Sequence, residues 1–359
     1  MPGHAGARWS PRVNVSSRKA LLIFLSSLLV FVCPTLLSAQ QKQADTPITV
    51  HTTLVSVPVI VSDRSGRYIL GLKVGDFKLY QDKIEQPISV FDAVEEPLNV
   101  ALLLDTSKST EPVLDEIKSA GVKFIKELRP QDRAMIVAVD YDVHVLSQLT
   151  SDRKGLERAV KDAKTGAIVG TVLRDAIDEV VARSFKQVEG RKAIILLSDG
   201  KDVGSHISEA TLLDEAAESG AMVYTVFFKT GPLKRGWIDA TTFPRRRVWV
   251  GPGRLPPPAQ QRNDRRHQRV EMRNEQAKSF LEKLADVSAG RYYTSDASDL
   301  KKTFNMITEE LRHQYRLGFY PDNSTADGQR HNLRVEVTAP ETIVRSRRSY
   351  QAPEPSKGS

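Results

Sequence analysis

The chain has 359 residues, 40% apolar and 27% charged, which is ordinary for a folded protein and long enough for two or three domains. Its single cysteine, Cys33, lies in an N-terminal apolar run, so a disulfide framework and a zinc-type cysteine cluster are both excluded. The net charge of +8 does not argue for nucleic acid as a partner. Between residues 234 and 273 eleven basic residues face three acids, a surplus equal to that of the whole chain.

In chain order, the first segment reads as an export signal. Arg8, Arg12, Arg18 and Lys19 precede the apolar run 20–37, Ser38 and Ala39 follow, and no acid occurs before Asp45. Residues 1–39 are therefore expected to be a signal peptide. The alternative is an uncleaved anchor, because a run of this length just spans a bilayer, although Ser26, Ser27 and Pro34 weaken it.

Residues 48–94 alternate with period two. Val55, Val57, Val59 and Val61 interleave with Leu54, Ser56, Pro58, Ile60 and Ser62, and β-branched residues favour strands. Asp63-Arg64-Ser65-Gly66 is a turn signal, and 77–80 and 88–91 read as further strands joined through Gln81-Asp82-Lys83. Pro58 points to an edge strand. No ligand-spaced His, Cys or acids occur here, so the stretch reads as a structural β module.

Residues 100–104 form an apolar run of the kind that lies buried on both faces of a parallel sheet, and they end in Asp105. Ligands bind at the carboxyl ends of such strands. Asp105, Ser107 and Ser109 are hard oxygen donors that suit a small hard cation such as Mg²⁺. Strands and helices then alternate. The helical stretches are 113–128, 154–163, 171–185 and 210–219, the last with Ser208 as its cap; the strands are 135–139, 142–149, 193–197 and 221–228. This alternation implies a mostly parallel sheet between helices. Asp199 follows a buried strand as Asp105 does, so both carboxylates are expected at one sheet edge. Gly170-Thr171 lies at a loop-to-helix junction, where the hydroxyl would cap a helix or face a ligand.

Asp105-x-Ser107-x-Ser109, then Gly170-Thr171 with Asp175, then Leu197-Ser198-Asp199-Gly200 together resemble the von Willebrand factor type A domain over about residues 96–312. In order and spacing they match that family's metal-ion-dependent adhesion site. The resemblance implies that Ser107, Ser109 and Thr171 are direct or near-direct ligands of Mg²⁺ (or Mn²⁺). Asp105 and Asp199 would hold metal-bound waters or the metal itself, and one place would be left for an Asp or Glu carboxylate of a partner protein. Asp202 would support the loop from behind the ligands, or is an ordinary surface acid. Lys108 adds charge beside the site or points to solvent.

The segment 231–273, rich in Pro, Arg and Gln, is expected to be extended or disordered, with Trp237, Phe243 and Trp249 as exceptions. Its charge would suit an acidic polymer or an anionic surface. Helices follow at 275–287 and 300–311 around a short strand at 291–293, and β character returns at 315–320, 332–338 and 343–350. GLKVGDFKLYQD (71–82) before the core, with YRLGFYPDN and RSRRSY after it, is similar to a bacterial family of exported proteins with a von Willebrand type A domain.

The expected fold class is therefore α/β: a doubly wound, mostly parallel sheet flanked by helices, Rossmann-like, inserted in a β-sandwich module built from N- and C-terminal strands. The domain plan is 1–39 signal peptide, 48–95 β module, 96–312 type A domain with the insertion 231–273, 313–350 completing the module, and 351–359 a disordered tail. Three functions compete. The first is an exported, cation-dependent protein-binding or adhesion module. The second is a structural envelope protein whose metal site is vestigial or purely stabilising. The third, a metal-dependent hydrolase, is disfavoured because none of the seven His falls in a site motif, His144 and His206 being the nearest in sequence to the core elements.

Overall fold

The computed structural model describes residues 54–92, 96–228, 259–296, 299–322 and 327–352. The expected signal segment, residues 48–53, most of the basic insertion with its three aromatics, and the tail from 353 lie outside the described residues.

The apolar run after Leu98 becomes β5 (Leu98–Asp105), buried along its whole length. It lies between β6 (Arg133–Val139) and β8 (Arg191–Ser198), parallel to both. The sheet continues through β9 (Ala221–Phe227) and β10 (Arg291–Thr294) on one side and the antiparallel β7 (Val143–Thr150) on the other, in the order β10-β9-β8-β5-β6-β7. Side chains alternate along β5. Val100, Leu102 and Leu104 pack with Ile117 and Phe124 of helix α1 (Leu114–Glu127), Leu156 of α2 (Arg153–Asp162) and Phe304 of α6 (Leu300–Arg312). Ala101 and Leu103 face the other layer, with Leu173 and Ile177 of α3 (Leu173–Asp178), Leu212 of α4 (Glu209–Glu218) and Leu281 of α5 (Ala259–Val287). Burial on both faces is what a run without polar alternation demands.

The flanking strands form two antiparallel four-stranded sheets, β13-β1-β11-β4 and β14-β12-β2-β3. β1 (Val55–Asp63) pairs with β11 (Gln314–Phe319) and β13 (Thr342–Ser346), and β4 (Val90–Asp92) pairs with β11. β2 (Phe77–Gln81) pairs with β3 (Ile84–Gln86) and β12 (Arg330–Val337), and β12 pairs with β14 (Ser349–Gln351). Each sheet thus mixes strands from before and after the α/β core. Val57, Val59, Leu79, Leu317, Phe319 and Leu333 share one apolar core. Ile60, on the opposite face of β1, packs into the α/β core instead.

Several expectations are corrected. The helix expected over 171–185 starts only at Leu173, ends at Asp178 and runs on as a π-helical turn over Glu179–Ser184. Thr171 is not its cap, because Val172 occupies that position and Thr171 is held in a β-bridge with Val203. Residues 343–350 are two strands rather than one, and they belong to different sheets. The last part of the basic segment is helical from Ala259 onward, not extended. Ala, Gln and Arg are good helix formers, and a helix anchored by buried Ala277, Phe280 and Leu284 propagates towards its N-terminus at little cost. Finally, β1 is an interior strand, yet its pairing with β13 begins only at Val59. At Pro58 the only ladder is the one with β11, so the missing N–H sits where the second side of the strand is unpaired.

Candidate functional site

The chain reverses direction across the sheet at β5. It steps to β6 on one side and later returns to β8 on the other, which creates a crevice at the carboxyl ends of β5 and β8. Asp105 closes β5 and Asp199 directly follows β8. Leu104 registers with Leu197, so the two carboxylates emerge from neighbouring strands at the same edge. Both are buried.

The first loop is built on Asp105. One oxygen accepts the Ser107 N–H at 3.0 Å, and the other accepts the Ser198 hydroxyl at 2.6 Å. The Ser107 and Ser109 hydroxyls are 3.0 Å apart. Buried Thr110 shares its hydroxyl between the Asp105 and Ser107 carbonyls and so fixes the turn. Burial first, and then the Asp199 carboxylate, push the Asp105 carboxyl up to about 7.

The second loop is tied to both others by backbone bonds. Gly166 N–H donates to the Thr106 carbonyl, Val172 N–H to Asp140, and Val203 N–H to the Thr171 carbonyl at 2.8 Å. Thr171 is buried in this stitching. In the third loop, the Ser198 hydroxyl that donates to Asp105 accepts the Gly200 N–H at 2.9 Å. Gly200 has φ +70°, and a Cβ there would lie 2.9 Å from the Ala277 Cβ, so the turn needs glycine both for its backbone and for its seat on α5. Asp199 accepts the Lys201 N–H at 3.2 Å with one oxygen and the Lys201 ammonium at 2.7 Å with the other.

All six residues singled out in the sequence therefore lie on these three stitched loops, but the side chain of one is directed away from Asp105 and Asp199. Asp202 is turned elsewhere. Its carboxylate accepts the Arg174 N–H at 2.9 Å and the Ser205 hydroxyl at 2.6 Å, bracing the start of α3. Asp175 does similar work, accepting the N–H groups of His206 and Ile207. His206 binds Asp175 and His144 binds Asp140, so both imidazoles have carboxylate partners away from Asp105 and Asp199. Ser198 and Lys201 were not singled out as site residues in the sequence. Ser198 had a signal, since it sits between a buried strand and Asp199. Lys201 had none, because only the fold-back at Gly200 brings its ammonium to the carboxylate.

Residues 99–236 match the model of the von Willebrand factor type A domain. The chain carries a von Willebrand factor type A domain. Type A domains are in general protein-interaction and adhesion modules, and some hold a divalent ion at a metal-ion-dependent adhesion site. An uncharacterized protein of Synechocystis sp. (strain ATCC 27184 / PCC 6803 / Kazusa) is 30% identical over 108 residues, which is 30% of this chain and 26% of that protein. The match thus spans about a quarter of the relative's length. Among solved structures, the conserved hypothetical protein BatB from Bacteroides thetaiotaomicron is 18% identical, with 60% of this chain and 97% of that one covered and a TM-score of 0.41. The vWF domain of the type V pili tip protein Mfa5 from Porphyromonas gingivalis is 14% identical, with 59% and 94% covered and a TM-score of 0.41. Proximal thread matrix protein 1 from the mussel byssus, with a zinc-occupied MIDAS motif, is 13% identical, with 59% and 47% covered and a TM-score of 0.40.

The donor set of this type A domain fits a hard divalent ion. Among the described residues no group of three or more His, Cys, Asp or Glu converges, so a soft-metal or all-carboxylate cage is not what the loops offer. They offer two buried carboxylates that repel one another and three hydroxyl-bearing residues. The Lys201 ammonium already lies on one carboxylate as a stand-in cation.

Proposed function

We propose that the protein is an exported, divalent-cation-dependent binding module that captures an acidic side chain of a partner protein. The observation that carries this reading is the pair Asp105 and Asp199, at the ends of adjacent parallel strands with the Ser107 and Ser109 hydroxyls beside them. In it, Ser107, Ser109 and Thr171 would hold Mg²⁺ or Mn²⁺, with Asp105 and Asp199 balancing its charge. Bound there, the ion would supply an electrophilic place for a carboxylate. The chain's own residues supply a rim for the rest of a partner. Tyr141, Ile168 and Val203 are exposed; the Tyr141 ring lies against Gly170, and the Val203 backbone bridges to Thr171 beside it. Exposed large apolar side chains on segments next to Thr171 suit a protein surface.

Export is inferred from the basic-then-apolar order of residues 8–39. Among the described residues no helix is long and apolar enough to cross a membrane. The proposed domain boundaries are those read from the sequence, 48–95 and 313–350 around 96–312, and the pairing of β1 with β11 supports them. An acidic polymer or anionic surface remains the proposed ligand class for the basic segment 231–273, and nucleic acid is not proposed.

The Lys201–Asp199 contact favours a second reading, a structural envelope protein whose site is neutralised from within and needs no ion. Thermal melts separate the two. On the first reading Mg²⁺ or Mn²⁺ raises the melting temperature of the wild type and not of Asp105→Ala. An unchanged melting temperature in folded wild type, with ion in excess, would leave only the second.

A further inference from the structure

We propose that Lys201 is the residue that sets how tightly this site takes a divalent ion, by holding Asp199 as an internal cation until the ion arrives. This rests on the metal reading above and goes beyond it.

Three observations converge on Lys201. Its backbone N–H and its ammonium engage the two different oxygens of Asp199, so this one residue addresses both. Asp199 is 1% exposed and the Lys201 side chain 26%, so the contact is shielded rather than a solvated surface pair. The residue between them, Gly200, is in the left-handed region and seated on Ala277 and Leu281, which fixes the backbone from which the Lys201 side chain reaches Asp199.

The chemistry follows from charge and tethering. An ammonium is a compact point charge with three donors. Held on a one-residue tether, it competes for Asp199 at an effective concentration that free ions in solution must exceed. A divalent ion that shares Asp199 with Lys201 places +2 beside +1 in a poorly screened crevice, and one that displaces it must break a short charge-assisted bond. Either route weakens ion binding, and linkage makes the effect reciprocal, so ion binding must loosen the lysine as much as the lysine weakens the ion. Without Lys201, the two buried carboxylates would face each other unbalanced and the site would take an ion more tightly.

The test uses the full chain with Lys201→Gln and Lys201→Arg, Mn²⁺ alone as the probe, and calorimetric titration at constant ionic strength beside melts in chelator and in excess Mn²⁺. Lys201→Gln is expected to bind Mn²⁺ about five-fold tighter or more. It should melt below wild type in chelator and gain more from Mn²⁺. Lys201→Arg, which keeps a tethered cation, should stay near wild type. Wild-type binding with Lys201→Gln equal or weaker overturns the role of Lys201 and leaves the metal reading standing. Binding by Lys201→Gln alone upholds it in its strongest form. No uptake by any of the three proteins overturns the metal reading and this inference together.

Discussion

Glu310 of α6 and Arg345 of β13 form an ion pair in which the carboxylate has no exposure to solvent. The same carboxylate accepts the Tyr224 hydroxyl at 2.8 Å and the Tyr68 hydroxyl at 3.2 Å, and it lies 3.3 Å from the Arg291 guanidinium. Helix α6 is thus joined to β13 of an antiparallel sheet, to the turn after β1, and to β9 and β10 of the parallel sheet. Burial pushes the Arg345 guanidinium down from its usual value, yet the pair stands because its acceptors are filled. Removing one partner of a buried pair strands the other. Glu310→Ala is expected to cost about 3–5 kcal/mol in urea unfolding, and Glu310→Gln less, since its amide oxygen still accepts from one tyrosine and its amide nitrogen can donate to the hydroxyl of the other.

A second prediction concerns pH. His331 is held between Asp82, at 2.6 Å from Nδ1, and Asp327, at 3.1 Å from Nε2, and stacks on Tyr350. Burial opposes its charge, but the hydrogen bonds it donates to the two carboxylates outweigh this and raise its pKa. Asp82 is lowered chiefly by the His331 bond, and Asp327 chiefly by the Gln329 N–H and then by His331. A raised histidine stabilises fully below its unfolded value of about 6.5 and loses that contribution as pH climbs through the folded value. The lowered carboxylates stabilise above about 4 and lose their contribution as pH falls. The cluster therefore contributes most between about pH 4 and 6.5. Wild type minus His331→Gln, compared by melting temperature, should show its largest gap there and a shrinking gap above neutrality.

How legible these features were differs by kind. The buried strands and the layer order could be read because apolar runs without alternation have few other uses, as at 100–104 and 193–197. The two carboxylates could be placed at one edge because each directly follows such a strand. Glu310 and Arg345 could not be paired, because a buried salt bridge leaves no periodicity, and the arginines of 345–348 read only as charge on a strand. Arg347, which is buried and bonds Glu218 at 2.8 Å, was hidden in the same way. The helix from Ala259 was missed because its first turns carry mostly charge, and what holds the helix lies further on, at Ala277 to Leu284. For Thr171 the sequence left cap and ligand-facing roles open, and the bridge that excludes the cap could not be read because its partner, Val203, is remote in sequence.

Asp105 is expected to lower stability in ion-free protein. Its carboxyl is raised to about 7 by burial and by Asp199, so ionisation costs more in the folded than in the unfolded chain. In chelator at pH 8, Asp105→Asn should melt above wild type, by about 2–4 °C for each kcal/mol relieved. In excess Mn²⁺ the order should invert, because the variant has lost a charge that balances the ion. A variant that melts below wild type in chelator would mean that the Ser198 and Ser107 bonds to this carboxylate outweigh the repulsion.

Gly200→Ala tests whether the turn after β8 is a seat or only a hinge. At φ +70° an alanine pays about 1–2 kcal/mol in backbone strain. Its methyl would also press on Ala277, Leu281 and the Ala277 carbonyl at 2.9–3.1 Å, contacts that only a shift of the loop or of α5 relieves. A loop shift moves Asp199 and Lys201 together, while Asp105, on its own strand, stays in place. The expected outcome is a loss of about 2–4 kcal/mol in urea unfolding, with ion binding impaired more than the stability loss predicts. Loss of stability with unchanged ion affinity would place the strain in α5 and show that the Asp199 loop holds its position without the glycine.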